Sequence, residues 1–257
     1  FLKGSSFAAL PLSTKDVDIP YFVQKKIGNH YLLLMAEGGS DYNHAVTALT
    51  AKSLWGPYVP CTINPVLTHR HLGKDYPVQS LGHADLVQTP TGDWYAVFLG
   101  KRIVEGGLVP LGRETFLCEV SFQNGEPIFN PGIGVIGNRL KRPLLPWTPV
   151  SKTDKQNDFE SSALSPEWAT MRIPEQPLHH FADGNLFLSL RPEMADSLVC
   201  PSMLLHRVHS HNFSAITTMT FSTCQANEWA GLVLYRTAKG YYSLLKGKNE
   251  IRLTIDK

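Results

Sequence analysis

The chain repeats one plan twice: strand, turn, strand, glycine-containing loop, strand, turn, strand. The first copy has predicted strands at 19–24, 30–36, 44–51 and 58–61, and the second at 84–88, 93–99, 114–122 and 127–130. A four-stranded antiparallel unit repeated at a spacing of roughly 65 residues is how β-propellers are built. A closed ring takes about four to eight blades, so two units predict a chain that is part of something larger.

Short alternating or apolar runs bounded by Gly, Pro, Asn and Asp dominate the sequence, and helical periodicity is scarce. This pattern is typical of an all-β protein. The strongest local signal is Asn124-Gly125, because this dipeptide favours the tight turn of a β-hairpin.

The second half of the chain has a different texture. A proline-punctuated segment, 136–157, is predicted to be a linker. Six predicted strands follow it, at 185–190, 202–208, 215–221, 230–235, 241–245 and 251–255. Because they show no blade-like repeat, they favour a β-sandwich. The predicted organisation is a partial propeller over 1–135, the linker, and a sandwich over 158–257 that stops without a terminating signal.

Composition excludes several classes of function. The net charge is +2 and no long basic run occurs, which argues against a nucleic-acid partner. No apolar run approaches the roughly 18 residues of a membrane span, so no membrane association is predicted. Localisation is open between secreted or periplasmic and cytoplasmic. The four cysteines, Cys61, Cys118, Cys200 and Cys224, are scattered without a CxxC spacing, so a zinc site is not expected and a disulfide is left open.

His83 and Asp85 stand two residues apart at the start of a predicted strand. Because strand side chains alternate, the pair is expected on one face of the sheet. Either the pair caps an ordinary strand or it lines a site. From the residues alone, a structural histidine is the favoured interpretation.

A series of motifs resembles glycoside hydrolase family 43, in its β-xylosidase and α-L-arabinofuranosidase branch. The motifs of the first half are LMAEGGSDYNHAVTALTAKSLWGPY, NPVLTHR, GHADLVQTPTGDWYAVFLGKR and PLGRETFLCEVSFQNGEPIFN, and those of the second half are DFESSALSPEWATMR and EWAGLVLYRTAKGYYSLL. The resemblance implies the later blades of a five-bladed β-propeller followed by a β-sandwich. It also implies an inverting glycosidase, in which one carboxylate activates a water and a carboxylic acid protonates the leaving oxygen.

The resemblance places the general acid just before the first predicted strand. The family carries a Glu there, whereas this chain has Asp18 in the segment Val17-Asp18-Ile19-Pro20-Tyr21. Asp is one methylene shorter, which sets a proton donor about 1–1.5 Å back, and such a displacement can cost orders of magnitude in rate. The alternative is that Asp18 is a surface residue that caps the strand. No motif for the base is found in the chain.

The resemblance also assigns a substrate pocket. It places His83 at the propeller axis, facing the sugar and able to ligate a central Ca²⁺ directly or through water. It points Arg113 of the LGRET motif into the pocket, with a surface ion pair to Glu114 as the alternative. Ser40 takes a position near the bound sugar where relatives carry Thr. No cofactor is required, although the resemblance allows Ca²⁺ at the axis.

Other residues near these motifs are expected to be structural. Glu37 is expected to accept backbone N–H bonds beside its glycines, His44 to be of the same kind with a place at the pocket edge, and Asp85 to brace a neighbouring loop. The aromatic residues Trp55, Trp94 and Tyr95 are expected in the core, whereas Trp168 and Trp229 belong to the sandwich.

Three functions are compatible with the sequence. The first is a glycosidase that cleaves xylosyl or arabinofuranosyl linkages of plant polysaccharides or oligosaccharides. The second is a catalytically impaired member that binds carbohydrate, since Asp18 stands in place of Glu. The third is a protein-interaction scaffold, against which the pocket residues His83 and Arg113 argue. The expected partners are xylo- or arabino-oligosaccharides, with a homo-oligomer or association with the missing propeller part as further options.

Overall fold

The computed structural model describes residues 22–149, 157–160 and 163–256. Within these ranges the chain forms fifteen β-strands and one short 3₁₀ turn, Glu105–Gly107, and it has no α-helix. The described part of the chain therefore contains no helix long and apolar enough to cross a bilayer. The all-β prediction is confirmed. The chain divides into two compact units, Phe1–Trp147 and Thr148–Lys257.

The first unit contains two four-stranded antiparallel sheets, and in each the strands pair in chain order. The first sheet consists of β1 (Phe22–Ile27), β2 (His30–Glu37), β3 (Ala45–Ala51) and β4 (Val59–Pro60). The second sheet consists of β5 (Val78–Gln88), β6 (Trp94–Arg102), β7 (Glu114–Gln123) and β8 (Glu126–Phe129). The predicted repeat of a four-stranded unit is thus present in the structure.

The hairpin predicted at Asn124-Gly125 is confirmed. Gln123 pairs with Glu126 across a two-residue turn, and Asn124 and Gly125 have φ values of 52° and 83°. Both central residues are therefore left-handed, as a type I′ turn requires, and Asn and Gly are the residues that tolerate this conformation.

The main core lies between the two sheets. Leu32 and Leu34 of β2 point into it from one sheet, and Ala96 and Phe98 of β6 from the other, because alternate strand residues share a face. Its remaining buried members are Val46, Ala48, Cys61, Leu67, Val78, Leu81, Ala84, Leu86, Cys118, Val120, Phe129 and Ile136. Burial of a Leu or Phe side chain contributes about 1.5–3 kcal/mol each, so this core accounts for the docking of one sheet on the other.

Contacts at one end of the two sheets fix how the sheets are placed against each other. The Glu126 carboxylate accepts hydrogen bonds from the N–H and Oγ1 of Thr62, at 2.9 and 3.0 Å. Gly125 lies so close to the His30 ring that a Cβ there would be 2.8 Å from His30 Cγ. The turn between β7 and β8 therefore packs against the turn between β1 and β2.

A buried histidine ties the segments that flank the second sheet. His69 is 1% exposed. Its Nδ1–H donates to the Val78 carbonyl at 2.6 Å, and its Nε2 accepts from the Ile136 N–H at 2.9 Å. Since Ile136 is fully buried in the main core, the chain after β8 still belongs to this core.

The second unit contains three small antiparallel sheets. Its strands are β9 (Trp168–Thr170), β10 (His179–Ala182), β11 (Asn185–Leu188), β12 (Leu204–His206), β13 (Ala230–Thr237), β14 (Gly240–Lys246) and β15 (Ile251–Asp256). The pairs are β9 with β12 and β10 with β11, and β13, β14 and β15 form the third sheet. The strand predicted at 215–221 is wrong, because these residues form no strand, and β9 and β10 escaped prediction.

One face of the β13–β15 sheet is apolar and exposed. Leu244 of β14 pairs with Leu253 of β15, and Tyr242 pairs with Ile255. All four side chains belong to residues that are at least 49% exposed. Exposed apolar faces of this kind mark contact surfaces in proteins.

The aromatic and cysteine predictions have mixed outcomes. Tyr95 is 5% exposed, and Trp94 packs edge-on against Phe122 at 5.7 Å. Trp55 is 73% exposed, so its predicted core position is wrong: it lies at the tip of the turn between β3 and β4, not in a strand. All four cysteines are free.

Candidate functional site

Two of the predicted site residues, Ser40 and Arg113, lie in loops at one end of the two sheets, and a third, His83, lies midway along a strand. Ser40 is in the loop between β2 and β3, Arg113 ends the loop between β6 and β7, and His83 is in β5. In a meander the connections alternate between the two ends, which places these two loops at the end where β5 begins. The Lys101 Nζ to Asp41 Oδ1 ion pair, at 3.0 Å, joins the two sheets there.

Two successive bulges interrupt the pairing of β5 with β6. The register shifts between Gln79 and Gly82 and again between Gly82 and Asp85. Ser80 and His83 take left-handed φ values of 57° and 58°. Such values are uncommon for residues other than glycine, and bulges near functional sites redirect side chains. This double bulge also explains why β5 begins earlier than the predicted strand at 84–88, since bulged residues do not alternate.

His83 is half-buried at the edge of a hollow of about 420 Å³ on the outer face of the second sheet. Asp85 and Thr115 line the same hollow, together with apolar side chains that include Val97 and Leu99. His83 and Asp85 thus face a common space, as the sequence predicted, although the bulge and not simple alternation brings them there. Ser40 and Arg113 do not line this hollow.

The Asp85 carboxylate is engaged in structural contacts. Its Oδ1 lies 3.4 Å from Lys25 Nζ of β1 and accepts a hydrogen bond from the Leu86 N–H at 2.7 Å. Asp85 therefore braces the first strand of the neighbouring sheet, where the sequence predicted that it braces a loop.

Arg113 is exposed at the bend before β7. The adjacent Glu114 carboxylate accepts hydrogen bonds from Arg102, through Nε at 2.9 Å and Nη2 at 2.6 Å. This two-point contact is the geometry that holds a carboxylate most firmly. Arg102 therefore holds the Glu114 carboxylate at two points, and the role of Arg113 stays a prediction.

Ser40 is exposed in a loop that neighbouring residues brace. Gly38 and Gly39 have φ values of 75° and 66°, and a Cβ on Gly38 would lie 2.1 Å from the Asn43 carbonyl oxygen. Gly38 is therefore required both by backbone conformation and by space, and Gly39 by backbone conformation. Asp41, next to Ser40, is held by Lys101, whose hydrogen bond and charge lower the pKa of the Asp41 carboxyl.

Glu37 is structural, with partners that differ from those predicted. Its carboxylate accepts from Thr47 Oγ1 at 2.6 Å and from Arg70 Nη1 at 3.0 Å. These are side-chain partners, whereas the sequence suggested backbone N–H groups. The carboxylate ties the end of β2 to β3 and to the segment that follows β4.

His44 lies beneath the site and is 4% exposed. Its Nδ1–H donates to the Ser80 carbonyl at 3.1 Å. Burial lowers its pKa, which outweighs the opposite effect of the Ser80 hydrogen bond, and the charges of Arg113 and Lys101 lower it further.

Asp18, the predicted general acid, lies outside the described residues.

The donor groups near His83 bear on the predicted Ca²⁺ site. Calcium takes about six to eight oxygen ligands, yet the described residues contain no group of three His, Cys, Asp or Glu side chains that could hold an ion. Asp85 is already committed to Lys25. The described residues do not fit a calcium site by themselves, and the calcium ion stays a prediction.

Comparison with known families adds the decisive observation. The model described as Glycosyl hydrolases family 43 matches residues 14–127. The model described as Beta xylosidase C-terminal Concanavalin A-like domain matches residues 156–255. The chain belongs to glycosyl hydrolase family 43. The first match includes Asp18, Ser40, His83 and Arg113 of this family 43 chain.

Curated relatives and solved structures agree with this assignment. The chain is 36% identical to a xylosidase/arabinosidase from Butyrivibrio fibrisolvens over 98% of its length and 50% of that protein. It is also 36% identical to the non-reducing end alpha-L-arabinofuranosidase BoGH43B of Bacteroides ovatus, over 95% of the chain and 46% of that protein. The family 43 chain therefore spans about half the length of the curated relatives it matches.

Among solved structures, the Bacteroides ovatus xyloglucan PUL GH43B has a TM-score of 0.76 at 33% identity, over 92% of this chain and 47% of that one. The xylan beta-1,4-xylosidase from Bacillus halodurans C-125 has a TM-score of 0.77 at 27% identity, over 93% and 47%. The fold class is confirmed: the later part of a family 43 β-propeller followed by a β-sandwich.

Proposed function

We propose that the protein containing this chain is an inverting glycoside hydrolase that removes xylosyl or arabinofuranosyl units from plant polysaccharides or oligosaccharides. The observation that carries the proposal is the position of His83. It sits in a double bulge of β5, in the segment that matches the family 43 model. The names of the relatives, a xylosidase/arabinosidase and an arabinofuranosidase, supply the substrate class.

In the proposed reaction, Asp18 donates its proton to the glycosidic oxygen as the bond to the leaving group breaks. A carboxylate outside this chain removes a proton from the attacking water on the opposite face of the sugar. Two carboxyl groups about 6.5–9.5 Å apart leave room for that water and produce inversion.

The other predicted residues bind and orient the sugar. The half-buried imidazole of His83 can hydrogen-bond a ring hydroxyl. The exposed guanidinium of Arg113 is free to approach planar acceptors and, beside a carboxyl group, lowers its pKa and keeps it ionised. Ser40 supplies a hydroxyl from the braced loop between β2 and β3.

In this proposal residues 1–135 supply part of the propeller, 136–157 link the domains and 158–257 supply the sandwich. The base belongs to further blades, either in the same polypeptide or in an associated copy. A homo-oligomer and association with the rest of the propeller are both compatible with the half-length match to the relatives.

The test is an assay of the natural gene product on aryl β-xyloside and aryl α-arabinofuranoside, with proton NMR of the first-formed sugar anomer. Asp18→Asn is expected to lower kcat by at least about 100-fold, the usual range for loss of a general acid. Asp93→Asn, in the turn between β5 and β6, is the matched control. Full activity of Asp18→Asn would remove Asp18 from the mechanism, and a retained anomer would contradict inversion.

The second candidate is a carbohydrate-binding protein without turnover, which Asp18 in place of Glu favours. It predicts saturable binding of xylose or arabinose oligosaccharides with no hydrolysis, and hydrolysis gained in Asp18→Glu. Turnover by the unaltered protein would eliminate this candidate.

A further inference from the structure

We propose that His44 is a positioning residue for His83: its imidazole holds the double bulge of β5, and the bulge sets the direction in which His83 points. The inference rests on the proposed function, because it assigns His83 to the substrate site. It concerns how the chain maintains that site, and it can be tested by structure as well as by activity.

The bulge removes Ser80 from the pairing of β5 with β6, so its buried backbone carbonyl needs another donor. Gln79 pairs with Lys101 and Gly82 with Leu99, so Ser80 has no Cα partner in the ladder of β5 and β6. Ser80 is 3% exposed, and a buried carbonyl without a partner is costly. The Nδ1–H of His44 donates to this carbonyl at 3.1 Å. The imidazole thus stabilises the bulged path of β5 over a regular strand.

The His44 ring packs directly against β5 at Gly82. A Cβ on Gly82 would lie 2.3 Å from Nε2, 2.4 Å from Cδ2 and 2.5 Å from Cε1 of His44. The flat ring therefore covers the Cα of Gly82, the residue directly before His83. Since the φ of Gly82 lies outside the left-handed region, the glycine is required here by space alone.

The surroundings of the His44 ring oppose its protonation. The Nδ1–H donor fixes the neutral tautomer whose proton is on Nδ1, and burial together with the cations Arg113 and Lys101 opposes protonation of the ring. His44 therefore acts as a neutral donor and adds no further positive charge to a site that already holds Lys101 and Arg113. Its carbonyl accepts from Thr68 Oγ1 at 3.2 Å, which anchors the start of β3.

A matched control is a second histidine that bonds to the same strand. His69 is also buried and also donates from Nδ1 to a β5 carbonyl, that of Val78, but Val78 precedes both bulges. Loss of His69 removes a similar bond to β5 and also the bond from the Ile136 N–H, so its cost in stability is at least as large as that of losing His44. It leaves the acceptor at Ser80 and the contact at Gly82 in place.

The experiment is a double-mutant cycle between His44→Ala and Gly82→Ala in the natural gene product, with His44→Leu, His44→Asn and His69→Leu beside it. Gly82→Ala alone is expected to lower kcat/KM at least tenfold by displacing the ring. In the His44→Ala background the same change is expected to cost less than threefold, because its clash is gone. Such coupling isolates the contact from general destabilisation.

The remaining variants separate positioning from stability. His44→Leu is expected to lower kcat/KM at least tenfold at temperatures where the protein stays folded, and His44→Asn to recover most of it because the amide keeps a donor. His69→Leu is expected to change kcat/KM less than threefold despite a loss of thermal stability that is at least as large. Equal effects of His44→Leu and His69→Leu on kcat/KM, or additive effects in the cycle, would overturn the proposal.

A structural readout distinguishes failure of this inference from failure of the proposed function. The ¹³Cα shifts of Ser80 and His83 report whether their backbone is left-handed or extended. They are expected to move toward extended values in His44→Leu and to stay unchanged in His69→Leu. If the shifts move while no variant and no unaltered protein hydrolyses a glycoside, His44 holds the bulge and the enzyme assignment is wrong. Unchanged shifts in His44→Leu would contradict the positioning role.

Discussion

The imidazole of His69 bridges β5 and the segment after β8, because it donates from Nδ1 to the Val78 carbonyl at 2.6 Å and accepts at Nε2 from the Ile136 N–H at 2.9 Å. The two bonds coexist only in the neutral ring, since a protonated Nε2 cannot accept from the Ile136 N–H. Burial lowers the pKa of His69 below its ordinary value of 6.5, and the charge of His71 adds to this shift.

The first prediction is that stability falls on acidification below about pH 6.5. Above this pH the ring is neutral in both states. Below it the unfolded chain binds a proton that the folded chain does not, so stability declines toward the folded pKa by up to about 1.4 kcal/mol per pH unit. The contribution of His69 to the slope of unfolding free energy against pH should disappear in His69→Gln, as measured by urea unfolding at pH 7.5, 6.5 and 5.5. His211→Gln, at an exposed position, should keep the slope, and an unchanged slope in His69→Gln would contradict the prediction.

The second prediction concerns Gly125, whose left-handed φ and contact with His30 both exclude a side chain. Gly125→Ala should destabilise the first unit by about 2–4 kcal/mol, from backbone strain plus displacement of the ring. Gly92→Ala is the control: its φ is 94°, but open space surrounds its Cα. It should cost only the strain, about 1–2 kcal/mol. Equal losses in thermal or urea unfolding would show that the His30 contact is unimportant.

The third prediction concerns cysteine reactivity. Burial raises the pKa of Cys61 and of Cys118 to about 12, whereas Cys224 is exposed. At pH 8 only about one in 10⁴ of a thiol with such a pKa is ionised, and the thiolate is the reactive form. Ellman's reagent should therefore modify Cys224 rapidly, and Cys61 and Cys118 only after unfolding in urea. Cys224→Ser should remove the fast phase; loss of that phase in Cys61→Ser would contradict the assignment.

The fourth prediction concerns Arg113. Hydrogen bonds that involve a charged group contribute about 1.5–3 kcal/mol, so Arg113→Ala should lower kcat/KM on aryl glycosides by roughly 10- to 150-fold. Arg113→Lys should recover only part, because an ammonium group cannot make the planar two-point contact. Arg139→Ala, at another exposed arginine of the first unit, should stay within twofold. Full activity of Arg113→Ala would favour a surface role for this residue.

Features that depend on residues close together in the sequence were predicted well. The Asn124-Gly125 turn and the repeat of four strands depend on neighbours a few residues apart, and the structure has both. Strands β9 and β10 were missed, and Trp55 was misplaced because an aromatic side chain was expected in the core, whereas it lies exposed at the tip of a turn.

The sequence by itself determined the all-β class, the repeated sheet, the hairpin turn at Asn124-Gly125 and, through its motifs, the family. Only the tertiary structure decided how β5 is bulged and what holds it. The His44–Ser80 bond joins residues 36 apart, and the Ile136–His69 bond joins residues 67 apart. Contacts over such separations form only when two sheets dock, and no local pattern of side chains encodes which buried carbonyl a given imidazole will meet.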